Sequence, residues 1–222
     1  QVRMIRSILL KLRGDAPAVL EIRGEIFMPN TSFDAVNAQR EIDGEQLFVN
    51  ARNATAGTLK SLDPKTVAKR KLAFLAHGKG EIDWNNAPLT WFDFTEAIQK
   101  FGIPVTDQLT VCNSIEEIVS VVELFESSRD TVGFAIDGMV IRANSFAFQE
   151  DLGSTAKSPR WCIAFKYPAE QGLTRLLDVK WQVGKNGTLT PRATMEPIFL
   201  AGTTVQHATL HNIDEIHRKD IR

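Results

Sequence analysis

The chain has 222 residues, 43% hydrophobic and 24% charged, with 26 Lys/Arg against 27 Asp/Glu for a net charge of −1. This is the composition of a soluble globular protein, long enough for one large or two small cores. No apolar stretch approaches membrane-spanning length, the first of these residues hold no signal-peptide h-region, and Cys112 and Cys162 stand without CxxC or Cys/His spacing, so no structural zinc site is expected within these residues and a cytoplasmic, reducing compartment is the expectation. The N-x-Ser/Thr triplets at Asn30, Asn53 and Asn186 are then chance matches. The sequence opens on Gln1-Val-Arg without Met and stops at Asp220-Ile-Arg222 inside a patterned segment, and so reads as a piece of a longer chain.

In chain order, Ala18 to Phe27 alternates, with Leu20, Ile22, Gly24 and Ile26 on one face and Glu21, Arg23 and Glu25 on the other, which predicts a half-buried strand. Thr31 or Ser32 is expected to cap a helix carrying Phe33, Val36 and Asn37. The run from Phe48 to Asp63 places Arg52 and Lys60 on a helical stretch of small residues; at roughly 100° per residue they lie about 80° apart, so one broad face presents both. Leu72 to His77 reads as a strand, and Phe92 to Phe101 as a helix closed by Gly102 and Pro104. Ser114-Ile-Glu-Glu117 is a capping box opening a helix with Ile115, Ile118, Val122 and Phe125 inward. Ala135 to Ala143 and Trp161 to Tyr167 read as strands with one cation each, Arg142 and Lys166. Beyond about Glu170, Leu177, Val179, Trp181 and Val183 alternate, Gly184-Lys-Asn-Gly187 turns, and short strand-like pieces follow, punctuated by Pro191, Pro197 and Gly202. Such short strands suit a small barrel of the oligonucleotide-binding type, with a boundary near residues 168–174.

Charge is segregated. From Val49 to Lys79 there are seven Lys/Arg (Arg52, Lys60, Lys65, Lys69, Arg70, Lys71, Lys79) and one acid, Asp63. Glu81 to Asp137 holds eleven acids and two bases, and Gly153 to Arg192 seven bases and two acids. The blocks are either solvated surface or two basic segments that meet a polyanion while the acidic one faces away. Lys166 shares its strand face with Cys162 and Ala164 and either snorkels to the edge or holds an anion; Arg142 repeats the pattern beside Ile136, Gly138 and Val140. Cations of this kind neutralise phosphate oxygens, and an acid such as Glu25 accepts hydrogen bonds from a ribose. There is no glycine-rich phosphate loop and no GxGxxG.

Taken in order, Glu-Ile-Arg-Gly-Glu25, Asn50-Ala-Arg-Asn-Ala-Thr-Ala-Gly-Thr-Leu-Lys60-Ser-Leu-Asp63, Ile136-Asp-Gly-Met-Val-Ile-Arg142 and Ile163-Ala-Phe-Lys-Tyr-Pro168 resemble the adenylation domain of bacterial NAD-dependent DNA ligases. Leu189-Thr-Pro-Arg-Ala-Thr-Met-Glu-Pro197 and Ala201-Gly-Thr-Thr-Val-Gln-His-Ala-Thr-Leu-His-Asn212 look like the oligonucleotide-binding (OB) domain that follows it. The resemblance implies an α+β nucleotidyltransferase (ATP-grasp-like) fold with antiparallel sheets and flanking helices over residues 1–170, then part of an OB-fold barrel over 171–222. It implies an enzyme that seals nicks in duplex DNA, joining 3′-hydroxyl to 5′-phosphate through enzyme–AMP and DNA–AMP, with NAD as adenylate donor, Mg²⁺ as metal, nicked double-stranded DNA as partner, and a monomeric, nucleoid-associated parent enzyme.

Carried across by motif, Glu25 binds the ribose, Lys166 contacts the α-phosphate, Asp137 supports metal-assisted phosphoryl chemistry, Arg142 sits where the family has a nucleotide lysine, and His77 sits where the family often stacks an aromatic on adenine. Arg52, Lys60, Arg129 and Lys185 would meet phosphates of nucleotide or DNA. Arg142 for Lys, Lys60 for Arg and Ala135 for an acid depart from the family pattern, and fork and point-charge geometries are not interchangeable. The nucleophilic Lys-x-Asp-Gly is absent from the 222 residues, so the chain by itself is expected not to self-adenylate. The alternative reading is a ligase-like DNA- or protein-binding module without catalysis. An ATP-using ligase or capping enzyme fits less well with the Asn-Ala-Arg-Asn and Ala-Thr-Leu-His-Asn blocks.

Overall fold

The computed structural model describes residues 1–168, 171–200 and 203–221, apart from the Asp130 side chain. Two compact units divide the chain, Gln1–Tyr167 and Pro168–Arg222.

The first unit is built on two antiparallel strand pairs. β1 (Val19–Phe27) pairs with β2 (Ala73–Asp83), and the helices α1 (Asn30–Ile42), α2 (Ala51–Leu59) and α3 (Pro64–Lys69) lie between them in sequence. The alternation of β1 is observed residue by residue, Leu20, Ile22, Gly24 and Ile26 half-buried and Glu21, Arg23 and Glu25 exposed. At Gly24 a side chain has no room, since an added Cβ would lie 2.2 Å from the Phe74 ring and 2.4 Å from the Leu75 carbonyl. The register breaks just there: Arg23 faces Gly78 and Gly24 faces Ala76, which leaves His77 as the extra residue of a bulge. Bulges of this kind bend a strand and re-aim the unpaired side chain.

α4 (Trp91–Lys100), α5 (Ile115–Ser128), β3 (Gly138–Arg142), α6 (Phe146–Leu152) and β4 (Cys162–Lys166) complete the unit, with β3 and β4 antiparallel and Gly138 opposite Lys166. One core gathers Ile5, Met28, Ala54, Val67 and Leu72, with Phe33 and Phe48 packed on it; a second gathers Ala76, Trp91, Phe94 and Ile98. Apolar side chains from β1 enter both cores and those from β2 the second, and their burial is the main favourable term holding that strand pair.

The structure corrects several local expectations. Neither Thr31 nor Ser32 caps α1, which starts at Asn30 after Pro29 and has no side-chain cap; Ser32 Oγ instead donates to the Lys71 carbonyl. The Ser114 box forms on one side only as expected, Ser114 accepting from the Glu117 amide, while the Glu117 carboxylate accepts from Asn113 one residue earlier. Ile115 is 74% exposed, not inward, because the stripe that packs starts one turn later, with Val122 buried and Ile118 and Phe125 half-buried. The predicted strands around Arg142 and Lys166 shorten to five residues each, and the Leu72–His77 strand extends to Asp83.

The second unit is a three-stranded antiparallel sheet of order β5-β6-β7, from β5 (Leu176–Val183), β6 (Leu189–Leu200) and β7 (Thr203–Thr209), followed by α7 (Ile213–Arg218). Pro191 and Pro197 do not punctuate β6. Pro191 pairs with Trp181 of β5 but lies just before the β7 register, which begins at Arg192, and Pro197 falls where that register shifts, so both are carried within one strand. Gly202 and Glu170, read as punctuation and as the change of texture, lie outside the described residues. Among the described residues the three strands form no closed barrel, and no helix is long and apolar enough to cross a membrane.

Candidate functional site

The pairing of β3 with β4 joins two residues 29 positions apart. Lys166 Nζ donates to Asp137 Oδ2 at 2.7 Å, both side chains remaining solvent-exposed. The neighbouring backbone explains why a glycine follows the aspartate. A Cβ on Gly138 would meet the Phe165 carbonyl at 2.2 Å, so a larger residue would push β4, and Lys166 with it, away. The ladder continues through the Tyr167 amide to the Asp137 carbonyl at 3.2 Å, and the buried Tyr167 hydroxyl reaches the Val122 carbonyl of α5 at 3.3 Å. The bond from Lys166 outweighs the opposing effect of desolvation and, with the Lys166 charge and, least, the charge of Arg52, holds the Asp137 carboxyl below its ordinary value. It is therefore ionised at neutral pH, and Arg52 shares its electrostatic field.

Arg52 is carried by α2, whose N-terminus is capped by Asn50 Oδ1 accepting from the Arg52 and Asn53 amides. Ala54, Thr55 and Thr58 pack inward, and Arg52 and Lys60 are left exposed, Lys60 as the C-cap residue. The segment before the cap is pinned by Asn37 of α1, which both accepts from and donates to the Phe48 backbone at 2.8 Å.

Arg142 is less free than the alternating pattern suggests. Its guanidinium lies 4.1 Å from the Trp91 ring centroid and 5.9 Å from that of Trp161, and Nη2 donates to the His77 carbonyl at 3.0 Å. Burial lowers its pKa from the usual arginine value. The His77 side chain is exposed on the bulge, and Glu25 is exposed on β1 opposite Leu75. Arg129 is half-buried at the C-terminus of α5, 5.6 Å from the Tyr167 ring centroid. Lys185 is exposed in the β5–β6 turn of the second unit.

The structure thus joins Asp137 to Lys166, with Arg52 acting on Asp137 only at longer range, and ties Arg142 to His77. Among the described residues no hydrogen bond joins Glu25 or Lys60 to this group. The tryptophan contacts of Arg142 and the anchor at Tyr167 were missed in the sequence reading. The signal was present in Trp161 and Tyr167, two of the three aromatic residues of WCIAFKY, which bracket β4.

The family model for the NAD-dependent DNA ligase adenylation domain matches residues 1–170, and that for the NAD-dependent DNA ligase OB-fold domain matches residues 173–222. The chain belongs to the NAD-dependent DNA ligases. In a ligase of this family the first unit is the adenylation domain and the three-stranded sheet belongs to the OB fold. The ligase chain also contains a groove of about 370 Å³ between α5, residues 107–112 and β3, which borders Arg142 but neither Asp137 nor Lys166.

Proposed function

We propose that this chain forms the nucleotide- and DNA-handling surfaces of an enzyme that seals nicks in double-stranded DNA during replication and repair. The carrying observation is the ionised Asp137 held 2.7 Å from Lys166 within the field of Arg52. NAD supplies the adenylate, which passes to the 5′-phosphate at the nick and is displaced by the 3′-hydroxyl. Each transfer develops negative charge on phosphate oxygens, and fixed cations that need no reorganisation stabilise it.

In this reading Lys166 neutralises the α-phosphate and Asp137 orients the ammonium group. Glu25 accepts hydrogen bonds from the ribose, and His77, re-aimed by its bulge, stacks on the adenine. Arg142 spends one donor on the His77 carbonyl and keeps others for the nucleotide. Arg52, Lys60, Arg129 and Lys185 take phosphates of the nucleotide or nicked strand. No three metal-ligating side chains gather among the described residues. Asp137, an exposed and ionised carboxylate, fits Mg²⁺ held mostly by substrate phosphates, and the ion would neutralise charge there. The parent enzyme acts as a cytoplasmic, nucleoid-associated monomer.

No Lys-x-Asp-Gly occurs in the 222 residues, so the chain alone forms no covalent lysyl–AMP. The test uses the polypeptide that carries this chain together with such a segment. Covalent AMP formation from labelled NAD is expected to fall at least about 100-fold for Lys166→Ala and for Glu25→Ala, consistent with loss of a preorganised electrostatic partner. Wild-type rates in both variants overturn the site, and an adduct on the 222-residue chain overturns the assignment of its nucleophile.

A further inference from the structure

The N-terminal turn meets the consecutive helices α2 and α3, some fifty residues on in sequence, over the first core. The turn Val2–Met4 packs against α3, the Gln1 side chain donates to the Ser61 carbonyl, and Ile5, 1% exposed, shares its core with Val67 of α3 and Ala54 of α2. Ile5 is held inward, while its neighbours Arg3, in the turn that packs against α3, and Arg6 are exposed. Val67 also points inward, and at roughly 100° per residue Lys65 and Lys69 lie about 40° apart on the opposite side of α3. Both are exposed.

Little negative charge opposes these groups. Asp63, the acid between Val49 and Lys79, is committed to the start of α3, where it accepts from the Lys65 and Thr66 amides and from Thr66 Oγ1. Among the described residues, none of Arg3, Arg6, Arg52, Lys60, Lys65 and Lys69 closes a salt bridge. Arg70 is the exception in kind. It lies over the Phe48 ring and donates to Thr58 Oγ1, so it is structural, and with Arg40 it covers the aromatic that a base would otherwise stack on.

We infer that Arg3, Arg6, Lys65 and Lys69 extend the phosphate-binding surface of α2 into a track for the duplex backbone flanking the nick. The inference rests on the DNA reading above and adds to it a second set of contacts. Solvated, unpaired cations with no aromatic on offer bind phosphates and not base edges, so the contact is independent of sequence and steeply dependent on salt.

The test is fluorescence anisotropy of a nicked duplex titrated with the 222-residue chain over a range of salt concentrations. Each released phosphate contact changes the slope of log K against log salt by about 0.9, so Arg3→Gln/Arg6→Gln and, independently, Lys65→Gln/Lys69→Gln should each flatten it by nearly two units. Arg3→Lys/Arg6→Lys should restore the slope, and an intact duplex should show the same changes, because backbone is what is gripped. Circular dichroism melting checks that the variants remain folded. Unchanged slopes in both pairs, with a flattened slope for Arg52→Gln/Lys60→Gln, overturn this inference and leave the DNA reading standing. A wild-type chain without salt-dependent affinity for nicked duplex overturns both.

Discussion

Arg142 of β3 donates to the main-chain carbonyl of His77 in β2 at 3.0 Å, and so ties together the two strand pairs of the first unit. The contact is set by packing. Trp91, buried at the start of α4, offers its ring to the guanidinium at 4.1 Å, and the Trp91 amide is itself fixed by the Asn144 carbonyl two residues beyond Arg142. The bulge that exposes the His77 side chain therefore has its backbone held by the strand that leads from Asp137. Residues proposed for adenine and phosphate are coupled through one planar cation.

That coupling makes Arg142→Lys an informative change. Lysine keeps a donor and a charge but loses the fork and the flat face against Trp91. The loss of a partly buried cation–π contact is expected to lower stability by about 1–2 kcal/mol in urea unfolding. Tryptophan emission should shift as Trp91 and Trp161 lose their neighbour. In the adenylation assay the variant should raise KM for NAD more than it lowers kcat, as His77 loses its fixed position.

Gly138→Ala tests the strand pairing that joins Lys166 to Asp137. The added methyl would sit 2.2 Å from the Phe165 carbonyl, so β4 must move. Overpacking of this kind costs about 1–3 kcal/mol. A crystal structure or NMR amide shifts of the variant should show the strand pair opened around Gly138 and the bond from Lys166 to Asp137 lost. An unmoved β4 would show that the glycine is not what allows the close approach.

The parts of the fold legible in the sequence were those governed by local periodicity and local caps. The β1 alternation, the α2 segment and the Ser114 amide cap are of this kind, because strand period and N-cap chemistry act within a few residues. The site was legible as a list of charged residues but not as contacts. Lys166 reads as an isolated strand cation until β3 and β4 are paired, and Arg142 reads as exposed until α4 brings Trp91 from 51 positions away. Thr31 and Ser32 were reasonable caps by residue type. They failed because Pro29, with its extended ψ of 148°, already turns the chain into α1 and Ser32 is used by Lys71. β6 hid its length because a bulge excuses Pro197, and bulges leave no reliable local signature.

Asn37→Ala should act at a distance on the cationic helix. Asn37 satisfies both the amide and the carbonyl of Phe48, two residues before the α2 cap. Leaving these partly buried groups unpaired costs about 1–3 kcal/mol. Hydrogen exchange should quicken from Phe48 through Asn53, and affinity for nicked duplex should fall without a change in net charge. Exchange at wild-type rates would show that Asn37 does not hold the segment.

On α7, Glu215 accepts from Arg218 and lies within 3.4 Å of Lys219, and chiefly the Arg218 bond lowers its pKa to about 2. A depressed carboxylate stabilises the fold fully above its unfolded value and loses that contribution as pH falls toward the folded value, so the staple should persist to about pH 2. A carboxyl NMR titration reads this directly. Arg218→Ala should return the midpoint most of the way to the ordinary glutamate range, and Lys219→Ala should move it less.

Asp137 responds to pH in the same direction for a different set of reasons. Its carboxyl is lowered first by the bond from Lys166, then by the Lys166 charge, and least by Arg52. The stabilisation is therefore present above the ordinary aspartate value and disappears as pH falls through the lowered one. Because the pair is exposed, its effect on melting is small, about 0–1 kcal/mol, and the titration of the carboxyl itself is the sensitive measurement. Lys166→Met should raise the Asp137 midpoint clearly, and Arg52→Gln should raise it by a smaller amount. This ordering separates a bonded pair from a general cationic surface: a diffuse field would make the two substitutions nearly equivalent, whereas a direct bond at 2.7 Å makes Lys166 dominant. Equal shifts would mean that Asp137 and Lys166 do not meet in solution, and the proposed orientation of Lys166 toward a phosphate would lose its support.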